Sequence, residues 1–218
     1  MDDKRLPPTF KISDIVAEFS SVAIVGNSPR LMENSHGAAI DSHDLIIRVN
    51  DGRIQGFEQH TGQRTTLRYI GVPLKERYQA FFRGFAEDSL IFTRAENRLI
   101  LQELGCHTPA RYIRQHSQVP LAAFGKLAGL IEIGSFPERP PRSGIVLLSL
   151  LVDAMQAGKK VSIFGMETEA RSSGAEHFYA DGRKFAGSTA TWENYHCPME
   201  REFETLKALA AQSLITIN

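Results

Sequence analysis

Two histidines, His177 and His196, mark the polar, aromatic and glycine-containing stretch that begins at Glu167. Imidazole titrates near neutrality, so modest surroundings can set it as a proton acceptor or as a cation against an anion. A second set sits where strand-like runs end. Val22-Ala23-Ile24-Val25 breaks at Gly26-Asn27-Ser28, and Leu45-Ile46-Ile47-Arg48-Val49 ends on Asn50. Asparagine both donates and accepts hydrogen bonds, as a base, a ribose or a phosphate contact requires. A third set, Ser143-Gly144, opens an apolar helical run directly behind Pro137–Pro141. Such a helix start aims free N–H groups and the positive dipole end at an anion. Taken alone, each feature has an ordinary explanation. A lone histidine is commonly a surface or core polar residue, and a strand–Gly–Asn–Ser turn is common. The three-glycine dinucleotide fingerprint fails here, because position 28 is Ser and position 31 is Leu.

The elements needed to position these residues follow from periodicity. Ile12 to Phe19 carries apolar residues at helical spacing. Strands are expected at 21–25, 45–49, 66–70, 89–93, 111–113, 160–165 and 214–217, with Pro29 to Ile40 a loop or broken helix and 50–65 a glycine-punctuated loop. Helices are expected at 74–85, at 96–104 with Gly105 as a stop, irregularly over 121–133, from Ser143 to about Ala157, and over 198–212. Strands alternating with helices predict an α/β fold: a mostly parallel, twisted sheet with helices on both faces, Rossmann-like. Residues 1–218 read as one domain behind a flexible lead over 1–10. In such sheets ligands sit at the carboxyl ends of strands, where Asn27 and Asn50 fall.

Composition excludes some function classes. The 218 residues hold 25 Lys+Arg and 25 Asp+Glu, so no broad basic field points to nucleic acid. Two cysteines, Cys106 and Cys197, are too few for a disulfide framework. The amino terminus lacks a signal-peptide core, and no apolar run nears the roughly 20 residues of a membrane span. The expectation is a cytoplasmic protein with no transmembrane segment, peripheral membrane contact being left open.

Taken together, the segments resemble a family. Val25 to Ser28, Ile40 to Asp44, Arg48 to Asn50, Gly56 to Glu58 and Gly62 to Thr66 look like the large sialyl motif of animal-type sialyltransferases, glycosyltransferase family 29. Pro141 to Gly144 with 161–165 resembles the small motif, and His177-Phe178-Tyr179 the short histidine–aromatic–aromatic motif. His196 before a leucine-rich helix resembles the last motif. The resemblance implies a GT-A-type variant of the Rossmann-like fold. It implies inverting, metal-independent transfer of sialic acid from CMP-sialic acid to a hydroxyl of a glycan or glycolipid, with no cofactor. It assigns His196 as general base and His177 to the donor phosphate. Asn27, Ser28, Asn50, Ser143 and Gly144 go to the donor nucleotide, and Glu200 and Tyr195 to supporting positions. No D-x-D metal motif occurs in the sequence.

Departures from the family pattern accompany the resemblance. Cysteines that animal members join as a disulfide are missing from Ser20–Val22 and Asp153–Lys160, which fits a bacterial-type member. Arg142-Ser143-Gly144 replaces Ser/Thr-Thr-Gly. Arg201 stands where the last-motif glutamate belongs, leaving Glu200 or Glu202 to serve. Trp192 and Tyr195 either line a sugar pocket or pack. His43 and Asp44 shape the turn before the second strand, Arg64 anchors its loop, and Ile145–Val152 is core. His36, His60, His107 and His116 read as ordinary polar positions. Two alternatives stand beside the main reading: a Kdo transferase using CMP-Kdo, and a non-catalytic CMP- or glycan-binding relative.

Overall fold

A computed structural model describes residues 12–71, 90–94, 97, 110–113, 121–130, 141–169, 178 and 196–218. Its frame is one seven-stranded sheet: β1 (Ser21–Val25), β2 (Leu45–Val49), β3 (Leu67–Ile70), β4 (Leu90–Arg94), β5 (Ala110–Ile113), β6 (Lys160–Phe164) and β7 (Thr216–Ile217). The spatial order is β5-β4-β3-β2-β1-β6-β7. Every described pairing is parallel. The chain starts in the middle, builds outward through β2 to β5, then returns to the other flank of β1. The strand order therefore reverses between β1 and β6, and an open α/β sheet binds its ligands at such a point.

The central strands are continuous apolar runs because both their faces are covered. All of β2 is buried, as are the last four residues of β1. Alternate residues feed two cores. Val22 and Ile24, Leu45, Ile47 and Val49, Leu67 and Tyr69, and Val161 and Ile163 face α1 (Ile12–Ala17), α5 (Ser143–Leu150), α6 (Val152–Gln156) and α7 (Met199–Ala211). Ala23, Val25, Ile46 and Phe164 face Leu31 of a 3-10 turn, Pro29–Glu33, and Ile40 of α2 (Gly37–Asp41). Burying each large apolar side chain stabilises the sheet by roughly 1.5–3 kcal/mol. The broken-helix expectation for 29–40 resolves into that 3-10 turn and α2.

Three sequence expectations need revision. The loop over 50–65 contains a short helix, α3 (Glu58–Thr61), whose Thr61 hydroxyl donates to Phe57 O at 3.1 Å. The helix expected from Ser143 to Ala157 is two helices broken at Leu151. There the Ser149 hydroxyl donates to Val146 O at 2.7 Å, a local bond that competes with the helical ladder. The last strand begins at Thr216 rather than 214. In the 121–133 stretch α4 spans Leu121–Leu130. The helices expected at 74–85 and, apart from Asn97, at 96–104 lie outside the described residues, as do His107, His116 and Trp192.

Candidate donor site at the strand reversal

Asn27 follows β1 by two residues and joins it to β2: its Nδ2 donates to Val49 O at 3.0 Å. Its Oδ1 is buried and has no hydrogen-bond partner among the described residues. It faces Gly52, whose Cβ, if added, would lie 3.4 Å away. Native proteins seldom leave a buried acceptor unmatched unless a ligand, ion or water meets it.

Asn50 turns the chain at the end of β2 with φ 55, a left-handed conformation that asparagine tolerates better than most residues. The turn is fixed from four directions. Asn50 N donates to Tyr69 O at 2.7 Å, Asn50 Oδ1 accepts from Gly71 N at 3.0 Å, Asn50 Nδ2 donates to Ser143 Oγ at 3.4 Å, and Arg68 Nη1 donates to Asn50 O at 2.8 Å. Asn50 thus connects the ends of β2 and β3 to the start of α5.

The amino end of α5 is wedged between strand ends. A Cβ on Gly71 would come 2.9 Å from Ser143 Oγ, and one on Gly144 would come 2.7 Å from Met166 Cε. Met166 also borders Gly26, whose added Cβ would approach its Cγ to 3.2 Å and overlap the Gly165 carbonyl oxygen. The ends of β1, β2, β3 and β6 and the first turn of α5 therefore meet around Asn27, Asn50, Ser143 and Gly144. Residues separated by more than a hundred positions in the chain share one place, on the carboxyl side of the sheet.

Ser28 has a different posture from its neighbours. Its hydroxyl donates to Glu167 and accepts from Arg30 N at 3.1 Å, capping the 3-10 turn. Arg30 bridges Glu167 at 3.0 Å and Glu169 at 2.6 Å. Within the described contacts Ser28 braces the β1 and β6 ends against each other. Phe178, next in the chain after His177, donates its N–H to Asn27 O at 3.1 Å and packs edge-on against Phe57, centroids 4.9 Å apart. His177 and Tyr195 themselves lie outside the described residues.

His196 is half-buried at the head of α7. Its neighbour Cys197 is buried and donates toward Glu202 Oε1 at 3.6 Å; burial first, then the Glu202 charge, pushes this thiol up to about 12. The same Oε1 accepts from Arg142 N at 2.9 Å and from Arg142 Nη1 at 3.1 Å. Glu200, expected in the supporting position, is exposed; Glu202 is the carboxylate that turns inward.

The sequence reading gave no role to Arg48 or Arg68, whose Cα atoms pair across β2 and β3 and whose side chains are fully buried. Arg48 Nε donates to Thr65 Oγ1 at 2.9 Å and Arg48 Nη2 to Arg64 O at 2.7 Å, while Arg68 also reaches Gly52 O at 3.3 Å. Together they pin the loops flanking Asn50. A charge inside an otherwise apolar strand was the signal available for both. The structural expectations for the loop hold. His43 ring nitrogens lie 2.9 Å from Ala39 O and 2.9 Å from Ser162 Oγ, Asp44 accepts from Ser21 N at 3.0 Å, and Arg64 Nη1 donates to Asp41 O at 2.6 Å.

Comparison with known proteins converges on the same segment. Residues 7–90 match glycosyltransferase family 29 (sialyltransferase). That segment is similar to the animal-type sialyltransferases. A sialyltransferase of Mus musculus, alpha-N-acetyl-neuraminyl-2,3-beta-galactosyl-1,3-N-acetyl-galactosaminide alpha-2,6-sialyltransferase, is 36% identical over 91 residues, 40% of this chain and 25% of its own length. A Sus scrofa sialyltransferase, CMP-N-acetylneuraminate-beta-galactosamide-alpha-2,3-sialyltransferase 1, is 32% identical over 102 residues, 46% of this chain and 27% of its own. The chain thus spans about a quarter of these curated relatives. Among solved structures, a mammalian sialyltransferase in complex with Gal-beta-1-3GalNAc-ortho-nitrophenol superposes with TM-score 0.56 at 19% identity, over 92% of this chain and 69% of that one. A second mammalian sialyltransferase structure gives TM-score 0.56 at 18% identity, over 99% and 81%. These likenesses establish the sialyltransferase fold, Rossmann-like and of GT-A type. Among the described residues no helix is long and apolar enough to cross a membrane.

Proposed function

We propose that the chain transfers sialic acid from CMP-sialic acid to a hydroxyl of a glycan or glycolipid, with inversion and without a bound metal or other cofactor. The observation that carries this reading is the meeting of Asn27, Asn50 and Ser143 at the strand reversal, with the two asparagines inside the family-matching segment. The donor follows from the relatives, one of which is named for CMP-N-acetylneuraminate. Metal independence rests on the family resemblance and on a sequence without a D-x-D pair.

In this reading the donor's nucleotide lies along the ends of β1 and β2, and its phosphate faces the first turn of α5. The free N–H groups there and the helix dipole stabilise charge that grows on the phosphate as it leaves. The acceptor oxygen attacks the anomeric carbon on the face opposite CMP. The carbon–phosphate-oxygen bond breaks, the pair leaves with CMP, and the hydroxyl proton passes to His196. A single displacement of this kind inverts the anomeric centre. His177 has the role of a second partner for the leaving phosphate.

The test is a CMP-release assay with matched CMP binding. The wild-type chain should release CMP from CMP-sialic acid in the presence of glycan acceptors. His196→Ala should lower transfer by about 10²–10⁴-fold, as loss of a general base does, while CMP affinity stays within about twofold. An equal loss of both would overturn the role of His196. CMP release from CMP-Kdo alone would overturn the donor.

A further inference from the structure

The candidate base and the candidate phosphate site are 53 residues apart in sequence (196 − 143), yet one carboxylate joins their neighbours. Glu202 Oε1 receives the backbone N–H of Arg142 at 2.9 Å, the Arg142 guanidinium at 3.1 Å and the Cys197 thiol at 3.6 Å. Arg142 is the residue before α5, extended at φ −68 and ψ 163, and Cys197 is the residue after His196. Glu202 itself is 8% exposed, in the first turn of α7. Two further walls already confine the head of α5: Gly71 against Ser143 on one side, and Met166 against Gly144 on the other. Glu202 supplies the restraint from α7.

From this arrangement we propose that Glu202 is a positioning residue that fixes the His196–Cys197 pair to the amino end of α5, so that base and phosphate contacts keep one separation. It acts through Arg142 and through Cys197, the residue after His196, rather than on donor or acceptor directly. This assignment rests on the function proposed above and adds to it the residue that couples its two halves.

The geometry supports a positioning role over a simple surface ion pair. A solvent-exposed Arg–Glu pair contributes little and tolerates loss of either partner. Here the carboxylate is buried and takes a main-chain N–H as well as the guanidinium. Charge-assisted bonds of this kind are short and directional. An error of about 1 Å in placing a base is enough to cost about 10²-fold in rate.

Two readouts test it. In the first, Glu202→Gln, which keeps an acceptor oxygen for Arg142 N, and Glu202→Ala are compared with wild type for kcat and for CMP affinity. The expected result is a fall in kcat of about 10-fold for Gln and about 100-fold for Ala, CMP affinity staying within about twofold. A kcat within about twofold of wild type in both folded variants overturns the proposal. Arg142→Met provides a second variant that leaves α7 intact, and the same split, smaller in size, is expected of it.

The second readout needs no transfer activity. In a Cys106→Ser background, alkylation by iodoacetamide near pH 9 reports Cys197 alone. Glu202→Gln should speed it severalfold, because the neighbouring negative charge is gone while Arg142 and Arg201 remain. An unchanged rate overturns the contact, whatever the activity. If wild type releases no CMP from any CMP-sugar, the proposed function fails; the alkylation rate still decides whether Glu202 meets Cys197.

Discussion

Asn50 combines a backbone demand and a side-chain demand, and two substitutions separate them. Its φ of 55 costs an ordinary L residue about 1–2 kcal/mol. Its amide also links Gly71 N to Ser143 Oγ, which adds roughly 1 kcal/mol per lost bond. Asn50→Ala should therefore lower stability by about 3–4 kcal/mol and CMP affinity by about 10-fold or more. Asn50→Gly should recover the backbone part, about 1–2 kcal/mol, and none of the affinity. Urea unfolding and CMP titration on the two variants check this, and an Asn50→Gly chain that binds CMP like wild type would remove Asn50 from the donor site. The placement of Asn27 and Asn50 just past the ends of β1 and β2 was legible from sequence, because each follows an apolar run with an amide. Glu202 was not separable from Glu200, because neighbouring positions on one helix differ only in which face meets the sheet. That face is set by Arg142, sixty positions earlier (202 − 142).

At the scale of elements, the site depends on how closely β1 and β6 approach at their carboxyl ends. Gly26 N donates to Phe164 O at 2.8 Å and Ser28 N to Gly165 O at 3.0 Å, so the two chains stay paired for one turn beyond the strands. A methyl group on Gly26 would overlap the Gly165 carbonyl, which is backbone and has no rotamer by which to give way. Gly26→Ala should destabilise by about 3 kcal/mol, lowering the melting midpoint by roughly 6–12 °C in a chain of this size. Gly125→Ala, at an exposed position of α4 with nothing near its added Cβ, is the matched control. It should leave the midpoint unchanged or raise it, since alanine favours helix over glycine by about 1 kcal/mol. Equal melting for Gly26→Ala and wild type would mean that the seam can open. Strands β1 to β6 were legible because buried parallel strands are short, apolar and β-branched. The break at Leu151 was not, because it arises from a Ser149 hydroxyl turned on its own helix inside an apolar run. The helix α3 was hidden by the glycines around it.

The whole molecule has a layer on each face of the sheet, and the two differ in chemistry. The α1, α5, α6 and α7 side carries the larger apolar cluster, with Ser149, Glu202 and Thr205 buried beside it, whereas the 3-10 turn, α2 and α3 side includes three histidines. The sequence order of strands and helices foretold a parallel sheet but not the position of its reversal, which depends on which flank of β1 receives β6. Nor did it foretell that His36, His43 and His60 would lie close together. The His36 ring meets Phe164 edge-on at 5.6 Å, the His43 ring meets it at 5.8 Å, and His60 Nδ1 lies 2.8 Å from Asn34 O. Burial, and then the neighbouring His60, hold the His36 pKa below its ordinary value. The folded state therefore disfavours the charged imidazole that the unfolded chain accepts near pH 6.5. The linked stability is complete above about pH 6.5 and is lost as pH falls through the lowered folded pKa. Asp44 and Glu58 are shifted down as well, by Ser21 and by backbone N–H groups, so their contributions disappear only further into the acid range. Urea midpoints near pH 7.5 and near pH 5.5 isolate the histidine window. Wild type should lose stability between them, and His36→Gln, which cannot acquire the charge, should lose less. Parallel losses in the two proteins would show that His36 does not connect proton uptake to the docking of this layer on the sheet.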